Sequence, residues 1–96
     1  MSEQRELSRQ FGENMARLRR RAGVSQEELG FRANLHRTEV GMLERGVRLP
    51  RLDTLLKIAG ALDLEMGELV EGMTWTPSDP RVGSFQVGGS DEESGS

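Results

Sequence analysis

The stretch Val24-Ser25-Gln26-Glu27-Glu28-Leu29-Gly30-Phe31-Arg32-Ala33-Asn34 decides the fold. Ser25 is placed to N-cap a helix, Glu28 three residues later completes a capping box, and Val24 can staple onto Leu29 across the first turn. Gly23, just upstream, suits the C-cap of a preceding helix. Asn34 tolerates a left-handed backbone and arrives as the Leu29/Ala33 face closes, so a short helix should end there in a sharp turn. Gly30 costs about 1 kcal/mol against Ala inside that helix, which its missing side chain would offset by letting the next helix approach.

Outward from this segment the apolar spacing predicts four more helices. Upstream, Leu7, Phe11, Met15, Leu18 and Ala22 recur at helical steps and give a first helix to about Ala22. Downstream, Val40 and Leu43 form the inner face of a third helix ending at Gly46, with Arg37, Thr38, Gly41 and Met42 on other faces. Pro50 suits a first helical turn, so a fourth helix should begin there and bury Leu52, Leu55, Leu56, Ala59 and Leu62. Glu65 to Val70 supplies a brief fifth helix, weakly capped by Glu65, with Leu69 and Val70 closing the bundle. The expected class is all-α: a five-helix bundle with a helix-turn-helix, followed by a mostly irregular C-terminal tail.

Charge divides the chain at Gly72. Residues 1–72 carry 12 basic and 12 acidic side chains, whereas residues 73–96 set Arg81 against Asp79, Asp91, Glu92 and Glu93, which accounts for the whole net charge of -3. The expected organisation is therefore a folded domain over 1–72, to which the resemblance given below assigns DNA binding, and a tail over 73–96. Of 13 basic residues 12 are Arg, a choice that fits recognition of phosphate and guanine edges and fits a base-composition bias equally well. No apolar run approaches the roughly 18–20 residues of a membrane span, and the N-terminus lacks the order of a secretory signal. A soluble, cytoplasmic protein without membrane contact is expected. With no Cys, no Tyr and His36 the single histidine, no metal, cofactor or enzyme site is expected.

From Leu18 to Val70, 53 of the 96 residues, the chain resembles the Cro and phage-repressor helix-turn-helix family, also called XRE. Ser25-Gln26-Glu27-Glu28-Leu29, Leu43-Glu44-Arg45-Gly46 and the Leu-rich fourth helix carry the resemblance together. It implies that the third helix enters the major groove of double-stranded DNA and that the base-contacting positions are His36, Arg37, Thr38 and Met42. Arg37 could grip guanine, Thr38 a base edge or a thymine methyl, and Met42 an apolar surface, while Glu39 could accept from cytosine or face solvent. Gln26 matches the family position that holds a backbone phosphate, and Arg45 and Arg48, with Arg51 beyond them, would flank the groove. Arg17, Arg20 and Arg21 fall toward solvent or phosphate. Arg19 and Glu44 match a structural ion pair joining the first helix to the third. His36, Asn34 and Asp63 depart from the family pattern, His36 standing where Ser or Thr usually caps the third helix. Phe31 points outward, where a ring invites a partner or tail contact.

The tail reads as low in apolar content and disordered after about Val87. Trp75, Phe85 and Val87 are able to fold back over the bundle as short extended pieces or to pack on a second subunit. One small module reads few base pairs, so a homodimer on a pseudopalindrome is expected, its two-fold face near the fifth helix, Met66, Val70 and Trp75. The function this implies is a sequence-specific transcriptional regulator, expected to be a repressor. A protein-interaction module on the same fold is the alternative, as is a restriction-modification controller or antitoxin.

Overall fold

The computed structural model describes residues 2–78 and 82–88, and the expected disorder after Val87 falls almost wholly outside them. The chain runs α1 (Ser2–Arg21), α2 (Gln26–Ala33), α3 (Arg37–Glu44), α4 (Leu52–Leu62), α5 (Met66–Leu69), β1 (Met73–Ser78) and β2 (Val82–Val87). Phe11, Met15, Leu18, Leu29, Val40, Leu43, Ile58 and Leu69 form the centre of one core shared by all five helices. Among the described residues no helix is long and apolar enough to cross a membrane.

Local chemistry sets the helix ends. Ser25 Oγ accepts from the Glu28 amide at 3.0 Å, and Val24 and Leu29 are buried in the same cluster. Asn34 and Asp63 end α2 and α4 with φ of 56° and 57°, left-handed values that their short polar side chains tolerate. The Leu35 amide donates to the Gly30 carbonyl at 2.8 Å, and a Cβ on Gly30 would lie 2.8 Å from the Leu35 oxygen. Gly30 is thus the residue that lets the turn fold back onto α2. Gly12 does the same between α1 and α3, since its Cβ would sit 2.5 Å from the Glu44 carbonyl oxygen.

Three expectations are corrected by the packing. Ala22 lies past the end of α1 and is exposed. Helix α4 starts at Leu52 with Arg51 as N-cap, one turn's fraction later than Pro50. Its buried face is Thr54, Ile58, Ala59 and Leu62, with Leu55 half-buried, while Leu52 and Leu56 are 66% and 57% exposed because they lie on the flank of the stripe that no other element covers. The weak cap of α5 is strengthened from within, the Glu65 amide donating to the Glu68 carboxylate at 3.2 Å.

Where an irregular tail was expected, β1 and β2 form an antiparallel hairpin, with Met73 opposite Val87 and Trp75 opposite Phe85. The two rings meet edge to face, centroids 4.9 Å apart, a geometry worth about 0.5–1.5 kcal/mol beyond burial. Strand β2 packs on α1, and the Gly88 amide closes the base of the hairpin by donating to the Gly72 carbonyl at 2.9 Å.

Asn14 ties this end of the molecule together. It is 1% exposed, and its Nδ2 donates to the Leu69 and Glu71 carbonyls, each at 3.0 Å, while its Oδ1 accepts from Gln10 Nε2 at 3.0 Å. These bonds engage the last carbonyl of α5, which the short helix cannot pair internally, and the Glu71 carbonyl just past its end. No buried side-chain nitrogen or oxygen among the described residues lacks a partner.

Candidate nucleic-acid interface

Helices α2 and α3 stand as a helix-turn-helix, with Val40, Gly41 and Leu43 of α3 turned into the molecule. Its first turn is turned out: His36, Arg37 and Thr38 are exposed, and Met42 and Glu39 are half-buried. His36 is the N-cap in extended conformation and makes no side-chain cap bond, so the amides of the first turn of α3 receive no capping side chain from it. Among the described residues Arg37 has no ion-pair partner. Gly41, read from spacing as lying away from the inner face, is buried because the Arg45 guanidinium and the Gln26 amide cover it: a Cβ there would lie 3.2 Å from Arg45 Nη1 and 4.0 Å from Gln26 Oε1.

Behind this face a polar brace fixes α3 to α1 and α2. Arg19 donates through Nε to Glu44 Oε2 at 2.6 Å and through Nη2 to Glu44 Oε1 at 3.0 Å, a fork that engages both carboxylate oxygens. Its Nη1 donates to the Val24 carbonyl at 2.9 Å, and Gln26 Nε2 donates to Glu44 Oε1 at 2.9 Å. The side chains of Arg19 and Glu44 are only 11% and 6% exposed. The bond to Glu44 holds the Arg19 guanidinium above its ordinary pKa, against the opposing effect of its burial. Gln26, the residue matched to a phosphate contact, therefore spends its amide donor inside the protein and lies across Gly41.

The remaining basic residues differ in what they face. Arg45, the C-cap of α3, is exposed and has no ion-pair partner among the described residues. Arg48 reaches Glu39 at 3.4 Å and Arg51 reaches Asp53 at 3.3 Å, both on the surface. Arg17 and Arg21 face Glu71 and Glu68 at 3.9 and 3.3 Å, while Arg20 is exposed. Phe31 is 84% exposed on the outer side of α2. Sequence reasoning missed Asn14, whose signal was its position between Phe11 and Leu18 on the buried stripe of α1.

Residues 15–69 match the helix-turn-helix family model HTH_3. An uncharacterized HTH-type transcriptional regulator, y4dJ, of Sinorhizobium fredii is 38% identical over 76 residues, covering 79% of this chain and 99% of that protein. The control protein C.BamHI of Bacillus amyloliquefaciens is 37% identical over 65 residues, 67% of this chain and 80% of its own. The crystal structure of the restriction-modification controller protein C.AhdI from Aeromonas hydrophila superposes with a TM-score of 0.63 at 45% identity, over 65% of this chain and 94% of that one. Bundle, turn and matched span agree: the chain belongs to the Cro and phage-repressor (XRE) type of helix-turn-helix proteins, a family of DNA-binding transcriptional regulators.

Proposed function

We propose that this chain is a sequence-specific transcriptional regulator that reads double-stranded DNA with the first turn of α3. The observation that carries the reading is the outward turn His36-Arg37-Thr38, exposed on a helix whose opposite face is held by the Arg19–Glu44–Gln26 brace. A major groove about 12 Å wide admits one such helix. Arg37 takes a guanine edge, Thr38 and His36 contact neighbouring base edges, and Met42 offers apolar contact farther along. Arg45 and Arg48 hold the backbone on the far side of the groove, the exposed Arg48 exchanging its half-buried Glu39 partner for a phosphate. Gln26 positions α3 through Glu44 and has its carbonyl and the α2 N-terminus left to meet the backbone.

The chain works as a homodimer in the cytoplasm. Trp75, Phe85, Val70 and Leu55 line an apolar groove of about 360 Å³ between α1, α4 and the hairpin, and Leu52 and Leu56 extend the apolar surface along α4. A dimer supplies the second reading head that a pseudopalindromic operator needs. Likeness to C.BamHI and C.AhdI favours a controller of restriction-modification genes over a free-standing repressor.

Selection of bound duplexes from a random pool tests the reading. A single enriched motif with two-fold symmetry supports it, and recovery of no motif at low salt defeats it. Sedimentation of the free protein at high concentration should give a dimer.

A further inference from the structure

Helix α1 begins at Ser2, whereas the family model matches from Met15, so roughly three and a half helical turns lie upstream of the matched span. Those turns carry Arg5 and Arg9, one turn apart on the same face of the helix. They come back beside Arg45 at the end of α3 and Arg48 in the loop that follows. The four arginines line one open cleft of about 660 Å³, with Gln4 and Ser8 beside them and no carboxylate among its lining residues. Arg9 and Arg48 do touch acids at 3.1 and 3.4 Å, but Glu13 and Glu39 reach them from outside the cleft. Such exposed pairs exchange readily for a stronger anion. The cleft is also fixed in place: a Cβ on Gly46 would lie 3.0 Å from Arg9 Cα, so the loop after α3 rests directly on the backbone of α1.

Of the four arginines lining the cleft, Arg5 and Arg45 have no ion-pair partner among the described residues, so the cleft attracts an anion, and it shares Arg45 with the end of the reading helix. We propose that it binds the phosphodiester backbone of the DNA flanking the half-site, with Arg5 and Arg9 as phosphate contacts supplied by the upstream extension of α1. This rests on the reading of α3 given above. Guanidinium forks match phosphate oxygens bidentately, and contacts of this kind add affinity without reading sequence. The half-site footprint is then longer than the bases α3 can touch.

Arg5→Ala/Arg9→Ala tests the assignment against Arg17→Ala/Arg21→Ala, which removes the same charge from the other end of α1, where the guanidiniums face Glu71 and Glu68. Affinity for one duplex carrying the selected motif is measured at several salt concentrations, with helix content by circular dichroism confirming that each variant folds. The wild-type log–log salt slope should fall in magnitude by about 1.8 in the Arg5/Arg9 variant, about 0.9 for each lost phosphate. The affinity gap to wild type then narrows about twelvefold between 50 and 200 mM salt. The Arg17/Arg21 variant should keep the wild-type slope, and the Arg5/Arg9 variant should keep the wild-type motif. Equal slopes in wild type and the Arg5/Arg9 variant overturn the proposal while leaving α3 as reader intact. Equal slope losses in both variants overturn it too, since they report net charge alone. A wild-type protein that retains no duplex fails the underlying reading instead, and the proposal falls with it.

Discussion

Arg19→Ala should be among the most damaging single substitutions in this chain. The change removes two charge-assisted bonds, at 2.6 and 3.0 Å, from the Glu44 carboxylate and a third bond, at 2.9 Å, from the Val24 carbonyl. Glu44, 6% exposed in the intact pair, then keeps Gln26 Nε2 as its remaining described donor. Breaking a buried pair from one side costs about 3–5 kcal/mol, chiefly because the surviving charge stays desolvated. In a domain of this size about 3 kcal/mol lowers Tm by roughly 12–24 °C. Arg20→Ala, on an exposed neighbouring position, should stay within about 0.5 kcal/mol of wild type. Thermal unfolding followed by circular dichroism compares the two, with Arg19→Met/Glu44→Leu as a third protein that removes both charges and should recover most of the loss. The Arg19 pKa is raised on folding, so its share of the stability is fully present below its unfolded pKa and is lost only as pH climbs through the strongly alkaline folded value. No deprotonation of Arg19 should therefore contribute to the pH dependence between about pH 7 and about pH 10. Equal melting temperatures for Arg19→Ala and Arg20→Ala would refute the brace.

Three other expectations follow from the packing and the interface. Gly12→Ala places a Cβ 2.5 Å from the Glu44 carbonyl and should cost about 1–3 kcal/mol by overpacking, whereas Gly60→Ala meets nothing within 4 Å inside α4 and should stabilise by about 0.5–1 kcal/mol; urea midpoints decide both. Asn14→Leu removes the donor to the Leu69 and Glu71 carbonyls, and should cost about 1–3 kcal/mol and raise amide exchange in α5 and the hairpin. Arg37→Ala should relax specificity at one base pair by about 1–3 kcal/mol, while Gln26→Ala should weaken every site alike, as competition binding with single-substituted operators can measure.

The helix-turn-helix was legible because its determinants are local. Ser25, Gly30 and Asn34 each act within a few residues, and the resemblance located Arg19 and Glu44 although their contact spans 25 positions. Leu52 and Leu56 misled because periodicity names an apolar stripe without saying how wide an arc the rest of the chain covers. Extended pieces at Trp75, Phe85 and Val87 were legible but their pairing into a hairpin was not: Pro77 and Gly83 interrupt the alternation, and the hairpin rests on the cross-strand Trp75–Phe85 pair and on α1, neither of which is a local signal. Asn14 reads as a polar interruption of a helix face until the far end of α5 arrives to use it. At the interface, composition could mark the arginines but not sort them: only the fold brings Arg5 and Arg9 into one cleft with Arg45 and Arg48 and leaves Arg17 and Arg21 at the other end of α1.

The most direct test of α3 as the reading helix is methylation interference at guanine N7, an atom displayed only in the major groove. Duplexes carrying the selected motif are sparsely methylated and separated into bound and free fractions. Methylated guanines within each half-site should be excluded from the fraction bound by the wild-type protein, and Arg37→Ala should lose that exclusion at one symmetric pair of guanines. Binding that tolerates N7 methylation at every guanine of the motif would contradict entry of α3 into the major groove.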